Sequence, residues 1–269
     1  MSLPPDESAV PVVVLCGGKG TRLREETEYR PKPMIEVGGR PIVWHIMRSY
    51  SHFGFKNFVL CLGYKGFAFK EYFLNYREIG SDLTVDLGSG DGVEFMSEGA
   101  DDVDWRVTLA ETGLDTMTGA RVKRIERYIQ GDTFMLTYGD GLADIDLEEL
   151  YRFHLRSEAL VTVTGIHPPS RFGEMAVEGD RVNSFTEKPQ VSEGLVNGGF
   201  FVCQRGFFDY LSNDESCILE RDPLRRVAAD GQLAVYRHGG FWQCMDTFRE
   251  YELLNELWES GSAPWRLWE

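Results

Sequence analysis

Short apolar segments alternate with amphipathic ones along the first half of the chain, and this alternation restricts the fold most. The first apolar segment, Val12 to Cys16, is β-branched and is followed at once by Gly17 and Gly18, which is typical of a buried strand. Asn57 to Leu62 and Thr133 to Tyr138 repeat the pattern, each ending before a glycine. Because strands that alternate with helices form parallel sheets, the sequence predicts an α/β fold with a doubly wound, mostly parallel sheet.

Three amphipathic segments fit helices between these strands: Ile42 to Tyr50, Phe67 to Tyr76 and Ala120 to Ile129. Pro41 stands at the start of the first, where proline is favoured. In the third, apolar residues recur at the spacing of one buried helical face. Trp105 to Ala110 is predicted as a further strand. Sheets of this kind bind ligands in the crevice beyond the carboxyl ends of their strands.

The second half contains more short strand-like segments than helices. Leu160 to Thr164, Arg181 to Phe185 and Phe200 to Cys203 are predicted as strands, and Glu250 to Glu259 as a closing helix. We therefore expect added strands and a hairpin that cover the same crevice. Residues 1–10 are predicted to be an N-terminal tail and residues 11–269 a single domain, with its two halves meeting near residue 145.

Ser81 to Asp104 interrupts the regular pattern with glycines and eight acidic residues. We predict an irregular surface excursion here. The sequence leaves two roles open, an ordinary solvated loop and a contact with another subunit.

Composition excludes several classes of protein. The net charge of −15 argues against a duplex-binding surface, which needs clustered Lys and Arg. No apolar run approaches the roughly 20 residues of a membrane helix, and the acidic N-terminus does not resemble a signal peptide. Five widely spaced cysteines without a C-x-x-C pair indicate neither a disulfide framework nor a zinc site. A reducing cytoplasmic location is expected.

The glycine-rich segment after the first strand, Gly17 to Leu23, is suited to anions because its backbone N–H groups can approach them closely. It is not a Walker loop, since its lysine lies between glycines. It is not a dinucleotide fingerprint either, since Leu23 stands where a small residue is required, and this argues against an oxidoreductase. Downstream, Pro31 and Pro33 fix the backbone around Lys32.

The pattern G-G-x-G-T-R-L followed by T and P-K-P-M, over Gly17 to Met34, resembles the sugar-nucleotide pyrophosphorylases, or sugar-1-phosphate nucleotidyltransferases. From Val12 to Glu269 the chain is most similar to the glucose-1-phosphate cytidylyltransferases. The matching segments are Trp44 to Met47, Gly63 to Gly66, Met117 to Gly119, Thr137 to Gly141, Arg171 to Gly173, Glu187 to Pro189, Asn197 to Phe201, Gly240 to Gln243, Met245 to Thr247 and Ala263 to Trp265.

The resemblance implies a Rossmann-like nucleotide-diphospho-sugar transferase fold, with a nucleotide-binding first half and a sugar-binding second half. Three residues depart from the family pattern: Cys16 where Ala is more frequent, Ser170 where Gly is, and Cys244 where Pro is. None of these departures removes a charged group that the chemistry requires.

The implied reaction needs positive charge more than a base. The attacking sugar phosphate is already largely dianionic at neutral pH because its second pKa is about 6. The protein must therefore supply positioning and cations. Arg22 is placed for the β- and γ-phosphates, Lys32 for the α-phosphate and the incoming sugar phosphate, and Lys188 for the sugar phosphate from the other side. These three are the candidate catalytic residues.

Two aspartates are candidates for a metal ion. Asp140 follows an apolar strand and lies between two glycines, and Asp246 lies in the segment Gln243 to Thr247. Mg²⁺ is usually held by one or two carboxylates together with phosphate oxygens. We therefore predict a Mg²⁺ site at Asp140 and Asp246.

By resemblance, the remaining site residues divide between a nucleotide and a sugar. The nucleotide-binding candidates are Leu15, Cys16, Gly17, Gly18, Lys19, Gly20, Thr21, Thr116, Arg121 and Gly139. The sugar-binding candidates are Gly173, Glu187, Asn197 and Gly198. Arg121 could equally be a solvent-facing helix residue, since charged residues surround it in sequence.

The expected function is transfer of a cytidylyl group from CTP to glucose 1-phosphate with Mg²⁺, by a protein expected to be a homo-oligomer without nucleic-acid or membrane partners. Two alternatives remain open. One is the same transfer from dTTP or UTP to another sugar 1-phosphate. The other is a non-catalytic, sugar-nucleotide-sensing homologue, which would be expected to have lost at least one of the charged site residues.

Overall fold

The computed structural model describes residues 9–20, 23, 27–88, 92–96, 103–167, 174–178, 181–186 and 194–268. The strands in chain order are β1 (Pro11–Leu15), β2 (Glu36–Val37), β3 (Arg40–Pro41), β4 (Asn57–Leu62), β5 (Leu83–Asp86), β6 (Gly92–Phe95), β7 (Arg106–Glu111), β8 (Thr133–Tyr138), β9 (Gly141–Ala143), β10 (Val161–Ile166), β11 (Glu174–Glu178), β12 (Arg181–Thr186), β13 (Val196–Gln204), β14 (Leu233–His238) and β15 (Trp242–Cys244). The helices are α1 (Ile42–His52), α2 (Gly66–Leu74), α3 (Tyr76–Gly80), α4 (Thr118–Arg124), α5 (Leu147–Ser157), α6 (Asp222–Ala229) and α7 (Phe248–Glu259). Short 3₁₀ turns occupy Lys32–Met34, Glu126–Tyr128 and Arg205–Tyr210.

The central sheet is mixed and mostly parallel, as predicted. Among the described residues it has seven strands in the order β14-β10-β13-β8-β1-β4-β7. Neighbouring strands pair in parallel except at β13, which is antiparallel to both β10 and β8. Four two-stranded ribbons accompany it: β2 with β3, β5 with β6, β9 with β15 and β11 with β12.

Two hydrophobic cores lie on opposite faces of this sheet, because successive side chains of a strand point to opposite faces. On β1, Val12 and Val14 belong to one core and Val13 and Leu15 to the other. Helix α1 packs in the first core, and α4 with the following 3₁₀ turn packs in the second. The pattern predicted for Ala120 to Ile129 is thus confirmed in its buried face, although the α-helix itself ends at Arg124.

A crevice opens where the direction of chain progression reverses. From β1 the chain runs outward through β4 to β7, and then returns to place β8 on the other side of β1. The ends of these two central strands are joined by a hydrogen bond from the Gly139 N–H to the Leu15 carbonyl, 3.1 Å long. This is the position at which doubly wound sheets bind ligands.

The described residues of the acidic excursion, 81–88, 92–96 and 103–104, include two regular strands. Strands β5 and β6 pair antiparallel within it, placing Leu83 opposite Phe95 and Val85 opposite Val93. Side chains of paired positions share a face, so this ribbon has an apolar face, and Val85 and Val93 are each about half exposed. At these two strands the prediction of an irregular segment was wrong, because the many glycines and acidic residues conceal this alternation; residues 89–91 and 97–102 lie outside the described residues.

All five cysteines are free thiols. In the part of the chain that the structure describes, no helix combines the length and the apolar character needed to cross a membrane.

Candidate active site

The crevice at the ends of β1 and β8 contains a cavity of about 380 Å³. Segments distant in sequence form its wall: the end of β1 with the glycine-rich segment, the Lys32–Met34 turn, the start of α4, the end of β8 with the two residues after it, and Asp246, two residues after β15. The lining residues are Leu15, Cys16, Gly17, Gly18, Gly20, Lys32, Pro33, Thr116, Met117, Thr118, Arg121, Tyr138, Gly139, Asp140 and Asp246.

Glycine is required at two places in this wall. A Cβ at Gly139 would lie 2.8 Å from the Pro33 ring and 2.9 Å from the Leu15 carbonyl oxygen, so the ends of β1 and β8 could not approach the Lys32–Met34 turn. A Cβ at Gly17 would lie 2.2 Å from the Arg121 guanidinium. Close backbone approach, more than turn formation, therefore explains these two glycines.

Arg121 is buried, although the sequence also allowed it to face solvent. Its Nη1 donates to the carbonyls of Leu62 and Gly113 and to the Thr112 hydroxyl, at 2.7–3.0 Å. Its Nη2 donates to the Gly17 carbonyl at 3.0 Å. One guanidinium thus joins the loops that follow β1, β4 and β7. Burial lowers the pKa of Arg121 from its usual value.

Lys32 lies between the two candidate metal-binding aspartates. Its Nζ donates to Asp140 Oδ2 and to Asp246 Oδ1, and its side chain is only 10% exposed. Burial alone would lower the pKa of Lys32, but the negative charges of Asp140 and Asp246 and their hydrogen bonds outweigh it, so that pKa is raised. Lys32 is consequently a permanent cation in the cavity wall.

The β9–β15 ribbon brings the two carboxylates together. Gly141 pairs with Cys244, and the Met245 N–H donates to the Asp140 carbonyl at 2.9 Å. Asp246 follows directly, and its own N–H donates to the Glu250 carboxylate at 2.7 Å. A long-range pairing between short strands therefore converts two aspartates from opposite halves of the chain into a pair.

The carboxylate pair fits a hydrated divalent cation. Asp140 and Asp246 converge on one point, the Lys32 ammonium, and their side chains remain 30% and 20% exposed to the cavity. Among the described residues no cluster of three or more His, Cys, Asp or Glu side chains could hold a metal ion. Mg²⁺ is usually held by one or two carboxylates, with the remaining positions left to phosphate and water, and two carboxylates are what this wall offers.

An ion pair at the surface joins two edges of the cavity opening. Lys19, in the glycine-rich segment, forms an exposed ion pair with Asp115 at 2.7 Å. Next to Asp115, Thr116 is buried and accepts a hydrogen bond from Arg124 Nη1 at 2.7 Å. The predicted nucleotide-binding residues of this region therefore lie around one opening, with Lys19 at its rim.

The sugar-binding candidates that the structure describes lie on β13. Asn197 Nδ2 donates to the Tyr138 hydroxyl at 3.2 Å, and the Gly198 carbonyl accepts from Trp242 Nε1 at 2.7 Å. Tyr138 and Thr118 line the cavity but were not among the sequence-based candidates. Both residues lie in segments that match the family pattern, and this was the signal that the sequence offered. The fold shows that they line the cavity.

Five of the sequence-based candidates lie outside the described residues: Thr21, Arg22, Gly173, Glu187 and Lys188. The structure therefore does not test their assignment. The other candidates fall on the cavity wall, at its rim, or on the neighbouring strand β13.

Two known proteins are similar to this chain over nearly its whole length. A glucose-1-phosphate cytidylyltransferase from Salmonella typhi is 45% identical over 96% of this chain and 99% of its own length. A probable glucose-1-phosphate cytidylyltransferase from Bacillus subtilis is also 45% identical, over 95% of this chain and 99% of its own.

Solved structures show the same fold at low sequence identity. HddC from Yersinia pseudotuberculosis superposes with a TM-score of 0.65 at 20% identity, covering 93% of this chain and 99% of its own. A UDP-glucose pyrophosphorylase complexed with UDP-glucose gives a TM-score of 0.66 at 15% identity, covering 94% and 99%. The family model described as nucleotidyl transferase matches residues 11–256. Because that family model covers nearly the whole chain, and the two cytidylyltransferase relatives are 45% identical over nearly their whole length, this chain belongs to the nucleotidyl transferase family and is a nucleotidyltransferase.

Proposed function

We propose that this enzyme transfers a cytidylyl group from CTP to glucose 1-phosphate, giving CDP-glucose and pyrophosphate with the help of Mg²⁺. The observation that carries the proposal is the Lys32 ammonium held against Asp140 and Asp246 beside the glycine-rich segment. The choice of CTP and glucose 1-phosphate is supported by the two relatives that bear the name of this reaction and align over nearly their whole length.

The chemistry is an in-line displacement at phosphorus. An oxygen of the sugar phosphate forms a bond to the α-phosphorus of CTP, and the bond from that phosphorus to the bridging oxygen breaks. Pyrophosphate departs with the electron pair. The attacking phosphate needs no general base, so positioning and charge stabilisation supply the catalysis.

Lys32 is the cation best placed for the α-phosphate, because it lines the cavity and remains charged. Asp140 and Asp246 would hold Mg²⁺, which supplies charge neutralisation on the phosphates when bound. Arg22 and Lys188, which lie outside the described residues, are proposed to contact the β- and γ-phosphates and the sugar phosphate respectively.

The base would be recognised at the inner wall. Arg121 is a buried cation whose described hydrogen bonds all go to neutral acceptors. It therefore leaves a net positive charge next to the glycine-rich segment, and this suits the O2 and N3 acceptors of cytosine. Thr116, Gly139 and the Leu15-to-Gly20 segment complete the proposed nucleotide site.

The decisive experiment measures pyrophosphate release by purified enzyme with Mg²⁺, glucose 1-phosphate and each nucleoside triphosphate in turn. Release with CTP well above the other triphosphates is expected. Equal or faster release with dTTP or UTP would overturn the choice of CTP. If the folded protein releases no pyrophosphate with any triphosphate and any of a panel of sugar 1-phosphates, the result would favour the sensing homologue instead.

We also propose that the enzyme is a cytoplasmic homo-oligomer in which the β5–β6 ribbon packs against a neighbouring copy. Several large apolar side chains of this region are exposed, among them Leu87 at 90% and Leu74 at 79%. Multi-angle light scattering is expected to give a multiple of 30.6 kDa. Val85→Glu, on the apolar face of the ribbon, should shift it toward the monomer, whereas Thr84→Glu on the opposite face serves as control. A monomeric wild-type protein would contradict the proposal.

A further inference from the structure

Glu220 connects the two sides of the cavity, although it is not itself a lining residue. Its Oε2 accepts a hydrogen bond from the Thr118 hydroxyl at 2.8 Å, and its Oε1 accepts one from the Tyr138 hydroxyl. Thr118 and Tyr138 both line the cavity, the first at the start of α4 and the second at the end of β8. One carboxylate therefore joins two walls of the cavity from a position 82 residues after Tyr138 and 102 residues after Thr118.

The Tyr138 side of this connection continues to β13. The Tyr138 oxygen accepts from Asn197 Nδ2 at 3.2 Å, and Asn197 Oδ1 accepts from the Gly199 N–H at 2.9 Å. Gly199 has φ +89°, and a Cβ there would lie 2.5 Å from the Tyr138 ring. The ring is thus packed directly on the backbone of β13, and the Tyr138 hydroxyl and the Gly199 N–H together orient the Asn197 amide.

The hydrogen bond from the Tyr138 hydroxyl ends on the Glu220 carboxylate. Hydrogen bonds that involve a charged group are stronger than neutral ones, so the Tyr138–Glu220 contact is stronger than a bond between two neutral groups, although Glu220 itself is exposed.

The Thr118 side is held by the segment that carries Glu220. The Thr118 hydroxyl accepts from the Leu219 N–H at 3.0 Å. The Cys217 carbonyl accepts from the N–H groups of Gly119 and Ala120 at 3.0 and 3.2 Å. Because the first N–H groups of a helix lack partners within the helix, this segment fixes the first turn of α4 and carries Glu220 with it.

We propose that Glu220 is a positioning residue that couples the nucleotide side of the cavity to the sugar side. Binding of the nucleotide against the start of α4 fixes Thr118 and Glu220, and Glu220 in turn orients Tyr138 and Asn197 for the sugar phosphate. Each ligand should therefore raise the affinity for the other, since coupling between sites is reciprocal. This inference rests on the proposed function, which assigns the two ligands to these two sides.

The test measures that coupling by calorimetry, with Mg²⁺ present. Glucose 1-phosphate is titrated into the enzyme alone and into the enzyme saturated with α,β-methylene CTP, which cannot react. The wild-type enzyme should bind the sugar phosphate about tenfold more tightly with the analogue, within the usual range of such couplings. In Glu220→Ala and in Tyr138→Phe the factor should fall below about twofold.

Two further variants separate coupling from general damage. Glu220→Ala combined with Tyr138→Phe should lose no more coupling than either change alone, because both remove the same link. Asp214→Asn removes a negative charge from the same segment, where Asp214 bonds Ser216, and should keep the wild-type factor. Tyr138→Phe retains the packed ring, so it tests the hydrogen bond in a protein that folds.

The outcomes distinguish this inference from the proposed function. The role of Glu220 would be overturned if the CTP analogue did not change the affinity of the wild-type enzyme for glucose 1-phosphate. It would also be overturned if both single variants kept the wild-type change in affinity. Either result would leave the transfer reaction in place. If the wild-type enzyme binds neither compound and releases no pyrophosphate, the proposed function fails and the inference fails with it.

Discussion

Lys32 illustrates how a single residue acquires its character from its neighbours. In sequence it is one lysine between two prolines, and a solvated turn would be its ordinary interpretation. In the structure it is nearly buried and bonded to carboxylates from two later segments, Asp140 and Asp246. A buried ammonium is stable only when paired in this way.

Lys32→Ala should impair the chemical step more than nucleotide binding. Its charge is expected to act mainly on the α-phosphate as the transition state forms, so kcat should fall by about 10³-fold or more with a smaller change in KM for CTP. Steady-state kinetics at saturating Mg²⁺ check this. Lys56→Ala, which removes an ion pair with Asp104 outside the cavity, is the matched control. A loss confined to KM would contradict the role.

Asp246→Asn should lower turnover by several orders of magnitude while the protein stays folded. The change keeps the size of the side chain but removes half of the carboxylate pair that would bind Mg²⁺. Binding of Mn²⁺, followed by electron paramagnetic resonance, should weaken in parallel, whereas Asp104→Asn should leave both measurements unchanged. Wild-type metal binding and turnover in Asp246→Asn would remove this residue from the metal site.

At the scale of elements, the positions of the loops depend on a few side chains that bridge them. The Arg121 guanidinium contacts the ends of three strands through backbone carbonyls. The strands themselves were predictable, since Asn57–Leu62 and Thr133–Tyr138 have the bounds expected from their apolar runs. The order of the strands in the sheet decides which loops a helix residue such as Arg121 can reach. Local periodicity in the sequence carries no information about that order.

Arg121→Lys should destabilise the protein even though it preserves the charge. Lysine cannot reproduce the planar set of donors, so several buried carbonyls would lose their partner, each at about 1–3 kcal/mol before relaxation. We expect the free energy of unfolding in urea to fall by about 2–4 kcal/mol. Arg127→Lys, at an exposed position near the same helix, should change it little. An unchanged stability of Arg121→Lys would refute this bridging role.

At the scale of the whole molecule, two buried neutral histidines tie stability to pH. His45 Nε2 donates to the Val37 carbonyl, and His45 Nδ1 accepts from Trp265 Nε1. His154 bonds Thr162 and Gln204 in the same neutral manner. Burial lowers the pKa of both histidines from 6.5 to about 4.

The protein should therefore lose stability in mild acid. Between about pH 6.5 and pH 4 these two histidines bind protons in the unfolded chain but not in the folded chain. The free energy of unfolding therefore falls as pH falls. Each histidine contributes a slope of up to ~1.4 kcal/mol per pH unit. Urea unfolding between about pH 7 and pH 5 measures it. His154→Asn should reduce the slope and the exposed His52→Asn should not; equal slopes in all three proteins would contradict the assignment.

Local pattern determined the α/β class, most of the strands and helices, and the candidate charged residues, because periodicity and backbone preferences act over a few residues. It also identified Asp140 and Asp246 as candidates through their motifs. Their meeting at Lys32, the burial of Arg121 and the link through Glu220 were decided by tertiary structure alone. These four contacts join residues 102 to 214 positions apart, and only the tertiary fold brings such residues within hydrogen-bond distance.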